Sequence, residues 1–280
     1  IRKKLWFFVS GEYFDQLAST PLAAQVFPDV STIPPFHFNS FYGLAKLKWA
    51  VLPWEKLSLL VQGDPTWIAN ETQSPVVHPK AESQRFQGGV HMIGTSETTL
   101  SENLLWKTQL GYSTNRIHLF PESNDFSTPG HTNEATGTST INESSIVDDY
   151  RYRSVLASSL TYFVENFVGD HEFKLGVGGE LQWNVNTNDE TGNPADCQGH
   201  HACEYIDSGV AQAGSTVNGV GDPFQLTVWD APLTKTVSGN NLNAYVQDTW
   251  KPFRSLTIRP GVRFDSSRAY AAKEDGGAQI

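Results

Sequence analysis

Apolar and polar residues alternate along this chain in stretches of about ten residues. From Leu256 to Asp265, for example, apolar side chains and one proline occupy the even positions, while polar residues and one glycine occupy the odd positions. Side chains that point to opposite faces at successive residues are typical of a β-strand. The pattern therefore predicts strands that have one apolar face and one polar face.

Nine such strands are predicted, and no segment has the period of an amphipathic helix. The predicted strands are Lys3–Gln16, Phe38–Val51, Leu57–Gln62, Gln84–Gly94, Leu104–Leu119, Val147–Phe163, His171–Trp183, Asn240–Trp250 and Leu256–Asp265. Short turns and long polar loops alternate between them. The short turns are Leu52–Lys56, Thr95–Ser101, Val164–Asp170 and Lys251–Ser255. The long loops include Asp64–Ser83, Phe120–Ser145 and a segment of roughly fifty residues after Trp183.

Two kinds of all-β protein have strands of this sort: a soluble β-sandwich, and a barrel with lipid outside and water inside. The alternation of short and long connections favours the barrel, because outer-membrane barrels have short periplasmic turns and long extracellular loops. Aromatic residues near the strand ends also favour it, since such rings suit a membrane interface. They include Trp49, Trp54, Phe163, Phe167 and Trp250. We therefore predict a transmembrane β-barrel, with a secreted carbohydrate-binding β-sandwich as the alternative.

The composition agrees with a barrel and excludes a bundle of membrane-spanning helices. Hydrophobic residues make up 39% of the chain and the mean hydropathy is −0.36, as expected where only every second strand residue faces lipid. No apolar run approaches the roughly 20 residues of a helical span. The net charge of −10, from 20 basic and 30 acidic residues, argues against a nucleic-acid partner, because no basic cluster is available to neutralise phosphates.

The polar face of the predicted strands carries charged residues that must avoid lipid. A lysine that faces lipid at mid-bilayer costs about 2–4 kcal/mol, so we expect this face to line the lumen of the barrel. The residues expected to face the lumen are Lys46, Lys48, Lys107, Lys174, Glu180, Arg259, Arg263 and Asp265. Because nine strands do not make an even-stranded barrel, we expect residues 1–280 to be part of one larger β-barrel domain.

Three segments resemble motifs of TonB-dependent outer-membrane receptors. AYVQDTWKP (Ala244–Pro252), followed by LTIRPGVRFD (Leu256–Asp265), is similar to the YxQDxW…LTLxPGLRYD barrel hairpin of that family. GDHEFKLG (Gly169–Gly176) resembles a second strand of the family. KLWFFVSGEY (Lys4–Tyr13) resembles a strand of those members that have a carboxypeptidase-regulatory-like N-terminal extension.

The resemblance implies an antiparallel barrel of about 22 strands with a plugged lumen, in the bacterial outer membrane. It also implies active import of a scarce ligand, a small molecule or an oligomer such as a siderophore, vitamin, peptide or oligosaccharide. The expected partners are outer-membrane lipid, the ligand, and the TonB energy-coupling complex, which would act through a plug upstream of Ile1. A structural or adhesive outer-membrane barrel without active transport is the alternative function.

Motifs that carry chemistry are few. No nucleophile elbow, HExxH helix or glycine-rich phosphate loop occurs, so we expect neither an enzyme nor a cofactor. Cys197 and Cys203 enclose two histidines, but their spacing matches no structural zinc pattern, and we expect no metal. A disulfide at the tip of the long loop is the simpler interpretation, since the resemblance puts that loop in an oxidising compartment. A metal site and unpaired thiols are the alternatives.

The loops hold the candidate ligand contacts. We expect them among aromatic residues, which also serve to anchor loops: Trp67, Phe126, Phe224 and Trp229. Four acidic residues in and just after the loop that follows Leu119 suggest a calcium or acid–base site: Glu122, Asp125, Asp148 and Asp149. Their spacing does not fit an EF-hand, however, and a solvated loop explains them more simply.

Overall fold

A computed structural model describes residues 4–19, 27, 29–207, 223–270 and 274–275, with only the backbone described for Phe224 and residues 274–275. The strands are β1 (Leu5–Ala18), β2 (Phe36–Leu52), β3 (Glu55–Gly63), β4 (Thr66–Ala69), β5 (Ser83–Ser101), β6 (Leu104–Pro121), β7 (Gly130–Asn133), β8 (Thr138–Thr140), β9 (Ser145–Val164), β10 (Asp170–Glu190), β11 (Ala202–Asp207), β12 (Pro223–Trp229), β13 (Leu233–Phe253), β14 (Leu256–Ile258), β15 (Gly261–Tyr270) and β16 (Glu274–Asp275). A 3-10 turn, Pro79–Ala81, lies between β4 and β5. Among the described residues, no helix is long and apolar enough to cross a membrane.

The long strands form one antiparallel sheet whose order follows the chain. The order is β1-β2-β3-β5-β6-β9-β10-β13, and β14 and β15 both pair with the free side of β13. β14 and β15 are two parts of a ninth strand, interrupted at Arg259 and Pro260, where proline has no N–H to donate. β4 continues beyond β3 between β2 and β5. The nine predicted strands and their all-antiparallel arrangement are confirmed.

Several predicted boundaries are wrong because the strands are longer than the apolar alternation. β5 runs through the predicted turn Thr95–Ser101, and only Glu102 and Asn103 separate it from β6. β10 extends to Glu190 and β13 begins at Leu233, where the sequence predicted loop. In these extensions backbone pairing continues although neither face is apolar, so the side-chain period carries no signal there.

The long polar loops contain strands that were not predicted from the sequence. β7, β8, β11 and β12 form a second sheet in the order β12-β11-β7-β8, in which β11 and β7 run parallel. These strands come from two different loops that are far apart in the chain. Their pairing satisfies backbone groups that would otherwise need water or side-chain partners, and it has no local sequence signature.

The cross-strand register gives the main sheet one apolar and one polar face. Directly paired residues point to the same face, and one such row consists of Leu47, Leu59, Gly94, Leu110, Leu156, Gly179 and Leu242. Its leucines are 39–62% exposed, so nothing in the described chain covers this face. The row one residue away is polar or small: Lys48, Ser58, Thr95, Gln109, Ala157, Gly178, Asn243 and Asp265.

Aromatic side chains border the apolar face at both ends of the strands. Near the short turns they are Trp49, Trp106, Tyr162, Phe173 and Trp250, and near the long loops they are Tyr13, Phe41, Tyr112, Tyr152 and Trp183. On β9 and β10 the two groups are ten residues apart. That separation is about 33 Å along a strand, or about 25 Å after a tilt of about 40°. An apolar band of this height matches the hydrocarbon layer spanned by outer-membrane barrels.

Asp248 is a carboxylate on the apolar face, and the structure shows how its charge is compensated. Asp248 accepts a hydrogen bond from Nδ1 of His171 at 2.7 Å. The other ring nitrogen of His171 lies 3.0 Å from the carbonyl oxygen of Phe167. The histidine ring also stacks between Phe173 and Trp250, at 5.2 and 5.7 Å between ring centroids. His171 and Asp248 therefore join the GDHEFKLG and AYVQDTWKP segments to each other.

We predict that the substitution His171→Ala destabilises the fold by about 2 kcal/mol, because it leaves the Asp248 carboxylate without its partner on an apolar face. The measurement is the free energy of unfolding of the full-length protein in urea. The double variant His171→Ala/Asp248→Ala should lose less than the sum of the two single variants. Strictly additive losses would contradict the proposed coupling.

Candidate functional site

Three long loops interlock at one end of the sheet. We call residues 64–82 loop 1, residues 122–144 loop 2 and residues 191–232 loop 3. Loops 1 and 2 are joined where the amide of His78 donates to the carbonyl of Ser139 at 2.9 Å, and where the amide of Ser139 donates to Val76 at 2.9 Å. Loops 2 and 3 are joined by the pairing of β7 with β11 and by a bond of 3.1 Å from the Glu134 amide to the Asp207 carbonyl. The loops thus form one hydrogen-bonded body.

Most of the fully buried side chains of the described residues lie in this body and not between the long strands. They include Glu82, Thr191, Cys197, Cys203 and Asp207. Cys197 and Cys203 form a disulfide within loop 3. Gly192 lies against it with φ +146°, and a side chain there would come within 2.7 Å of the Cys197 sulfur. Residues 191–207 of loop 3 therefore pack tightly around the disulfide.

A group of glutamates lies within the loop body. Burial raises the pKa of Glu71, Glu82, Glu122 and Glu143 above the ordinary value. Burial, and then the nearby carboxylates of Glu204, Glu143 and Asp189, raises the pKa of Glu190 to about 8. Only Glu122 of this group was singled out from the sequence, because the pattern of residues does not distinguish a buried glutamate from an exposed one.

Few cations compensate these carboxylates. Arg85 pairs with Glu71. Glu82, Glu122, Glu143 and Glu204 accept from neutral donors, such as the Thr72 amide to Glu82 at 3.0 Å and the Thr132 hydroxyl to Glu204 at 2.6 Å. In the described part of the chain no three His, Cys, Asp or Glu side chains are arranged to hold a metal ion. Burial with few cationic partners is therefore the main cause that raises the pKa values of Glu82, Glu122, Glu143 and Glu190.

The acidic residues singled out in the sequence are separated by the fold. Asp148 and Asp149 belong to β9, so the prediction that they lie in a solvated loop is wrong. Asp148 accepts two hydrogen bonds from Arg116, at 2.8 and 2.9 Å, and Asp149 accepts from Arg151 at 2.6 Å. Asp125 does lie in loop 2, where hydroxyl and amide groups of Thr128 and Ser127 lower its pKa to about 2.

Three of the four aromatic residues proposed as ligand contacts have described side chains, and these three are not gathered into one pocket. Trp67 belongs to β4, and the register puts it on the apolar face beside Phe86, 5.3 Å between centroids. Phe126 is exposed in loop 2, where its carbonyl accepts from Gly192 at 3.1 Å. Trp229 ends β12 opposite Ala202, next to the disulfide. The backbone of Phe224 lies in β12, but its side chain is outside the described residues.

The polar face brings together seven of the eight residues predicted to face the lumen. The register puts the following on one face: Lys46, Lys48, Lys107, Lys174, Glu180, Arg263 and Asp265. Arg259 lies in the interruption between β14 and β15 and has no paired position. Ion pairs join Lys107 to Glu97 at 3.2 Å and Arg263 to Asp265 at 2.8 Å.

A cavity on the polar face lies in the half of the wall nearest the loops. Its volume is about 590 Å³ and its lining includes Arg151, Arg153, Gln182 and Asn184. Arg153 pairs with Glu180 at 2.7 Å. Of the residues in this region, only Glu180 was predicted from the sequence to face the lumen. The alternating amides of QWNVN (Gln182–Asn186) already show the period of a strand.

A two-faced antiparallel sheet with an apolar band of about 25 Å, aromatic borders and polar loops at one end is the wall of a membrane-spanning β-barrel. Comparison with protein families agrees, since residues 29–280 match the model described as an outer membrane beta barrel domain. The chain belongs to this family, and the protein is located in the bacterial outer membrane. The polar face is accordingly the lumen side, and the apolar face meets lipid.

Solved structures share the fold at low sequence identity. The outer membrane transporter YddB from Escherichia coli is 11% identical with a TM-score of 0.68, over 97% of this chain and 32% of its own. FpvA of P. aeruginosa, in complex with heterologous pyoverdines, is 11% identical with a TM-score of 0.54, over 97% and 36%. BauA, the ferric preacinetobactin receptor from Acinetobacter baumannii, is 12% identical with a TM-score of 0.50, over 98% and 43%. The chain thus spans less than half of each, and a search of curated proteins gave no match.

We predict that the loop body is more stable in acid than in alkali. In the assembled loops the pKa of Glu190 is about 8, well above its ordinary value of 4.5, so assembly binds a proton. The stabilisation is therefore complete below about pH 4.5 and is lost as the pH rises toward 8. Hydrogen exchange of the Thr191 and Cys203 amides, corrected for intrinsic rates, should show more protection at pH 5.5 than at pH 8.5.

The variant Glu190→Gln should keep its protection at pH 8.5, because an amide needs no proton to remain neutral. Glu165→Gln is the matched control, since Glu165 is exposed in a short turn at the opposite end of the sheet. Equal pH profiles for Glu190→Gln and the unmodified protein would contradict the assignment.

We predict that the double variant Cys197→Ser/Cys203→Ser loosens loop 3 without unfolding the barrel. A disulfide that closes so short a segment contributes about 2 kcal/mol, here to the closed form of the loop. Limited proteolysis of the folded full-length protein should cut residues 191–207 faster in the variant, with unchanged gel mobility of the unheated barrel. No change in the cleavage rate would count against a structural role for the bridge.

Proposed function

We propose that this chain is part of the barrel of a TonB-dependent outer-membrane transporter that imports a scarce ligand. The observation that carries the proposal is the open arc of nine strands with a polar inner face. Among the described strands, β1 and β15 each have a hydrogen-bonded neighbour on one side only. Because a barrel cannot leave edges unpaired in lipid, further strands must complete it. A barrel of clearly more than nine strands does not fill its lumen with its own side chains.

Two further observations support a plugged transporter over an open pore. The segments that resemble TonB-dependent receptors meet in space through His171 and Asp248, so the resemblance involves residues that contact each other. The loops at the outer end form a hydrogen-bonded body rather than separate extended arms. A body of this kind suits the capture of a ligand at the mouth of a barrel, while the polar wall provides its path inward.

In this proposal the energy-coupling parts belong to the rest of the protein. A plug domain would fill the lumen and contact the TonB complex, and residues 1–280 would supply wall and loops of one β-barrel domain. YddB is described as a transporter and BauA as a ferric preacinetobactin receptor. Their shared fold supports transport as the function but leaves the identity of the ligand to the loops and wall.

We predict that the purified full-length protein binds the periplasmic domain of TonB and forms a poorly conducting barrel in planar lipid bilayers. A variant that lacks the plug should lose TonB binding and conduct ions, because nothing would then fill the polar lumen. The measurements are retention on immobilised TonB domain and single-channel conductance. A full-length protein that neither binds TonB nor changes conductance on truncation would instead support a structural or adhesive barrel.

A further inference from the structure

Four carboxamide side chains occupy successive lumen-facing positions on one strand. They are Gln182, Asn184, Asn186 and Asn188 of β10, and we call them the amide ladder. Gln182 lies directly opposite Arg153, and Asn184 opposite Arg151, on the same face as Glu180. Positions two residues apart on a strand are separated by about 6.6–6.8 Å. The ladder therefore extends for about 20 Å from the loop end toward the middle of the wall.

The ladder borders the cavity of about 590 Å³ on the lumen side of β6, β9, β10 and β13. Ser113 and Asn115 of β6 line the opposite side. The volume lies within the range of about 300–1,000 Å³ that is usual for ligand sites. The surface is wide enough for an extended chain to lie along β10 and still reach β6 and β9.

Much of the hydrogen-bonding capacity of this surface is unused. The Asn184 amide donates to Asp149, and that of Asn188 donates to Asn186 at 2.7 Å. Within the described residues, no side-chain hydrogen bond engages Gln182, Asn115 or Ser113. A carboxamide has two donor hydrogens and an acceptor oxygen. Each side chain of the ladder therefore keeps at least one donor or acceptor that a ligand could use.

The two arginines beside the ladder are already compensated. Arg151 pairs with Asp149 at 2.6 Å, and Arg153 pairs with Glu180 at 2.7 Å. The part of the site around Gln182 and Asn184 therefore presents no net charge to attract a strongly anionic or cationic ligand. Tyr152 and Trp183 adjoin the cavity, but the register turns their rings to the lipid side. A sugar ring in the cavity could therefore not stack on Tyr152 or Trp183.

We propose that the amide ladder binds an uncharged peptide in an extended conformation, laid along β10. The backbone of an extended peptide repeats its N–H and C=O groups every two residues, with the spacing of the ladder itself. Carboxamides match both groups, because they donate and accept at once. About six residues would cover the ladder from Asn188 to Gln182. The inference rests on the proposed function and names the substrate class of that transporter.

The test is retention by the immobilised full-length protein in detergent. The probes are a pool of acetylated and amidated hexapeptides of alanine, serine, threonine and valine, the same pool N-methylated at alternate residues, the same pool with two glutamates, and a linear hexasaccharide of glucose. We expect the unmodified uncharged pool to be retained. Loss of one or two hydrogen bonds in Gln182→Leu should weaken retention about tenfold, and backbone N-methylation should do the same.

The matched control is Gln62→Leu. Gln62 is exposed on the same face and in the same cross-strand row as Gln182, through His91, Ser113 and Arg153. It lies on β3, outside the lining of the 590 Å³ cavity. The same substitution there should leave retention unchanged, so a general effect of leucine on the lumen is separated from an effect on the ladder.

Four outcomes would overturn the inference: retention of the hexasaccharide in preference to the peptides, preference for the glutamate pool, equal retention by the Gln182→Leu and Gln62→Leu variants, or no retention of any probe. Any of these together with binding to the TonB domain would leave the proposed function in place. Failure to bind TonB, with peptide retention that depends on Gln182, would instead remove the transport proposal and leave a peptide-binding barrel.

Discussion

The structure depends on one constraint, which is that no backbone N–H or C=O group can remain unpaired in hydrocarbon. This constraint explains why each long antiparallel strand crosses the wall from a short turn to a long loop with almost no interruption. It also explains where an interruption is tolerated, since Pro260 divides the ninth strand close to a short turn and not in the middle of the wall. The leucines of the lipid face are exposed in this chain, because lipid and not protein is their solvent.

Backbone pairing also organises the loop body outside the membrane. Water can satisfy backbone groups there, yet β7 and β11 pair across two loops and bury side chains such as Thr191 and Asp207. Burial then raises the pKa of Glu143 and Glu190, because desolvation disfavours the charged carboxylate. The ordered loops and their unusual proton balance are therefore two consequences of one packing arrangement.

The sequence was sufficient for the wall and insufficient for the loops. Period-two alternation predicts the nine strands and their two faces, and the register confirms the face of Lys48 and Asp265 relative to Leu47. The sheet formed by loops 2 and 3 was not predictable, because its partners, such as Gly130 and Glu204, are distant in the chain and follow no periodic pattern. Trp67 shows the same limit, since only pairing with Phe86 places it on the lipid side.

The inner face shows why the lumen requires another occupant. Several of its positions are glycines, and the neighbouring side chain lies flat over them: a side chain at Gly176 would collide with the Tyr245 ring, and one at Gly178 would meet the Asn243 amide at 2.8 Å. Side chains that lie along the wall do not extend toward the axis. A barrel larger than this nine-stranded arc then keeps a wide polar interior, so water, a plug or a ligand must satisfy residues such as Gln182. The transport proposal and the amide ladder both start from that unfilled polar surface.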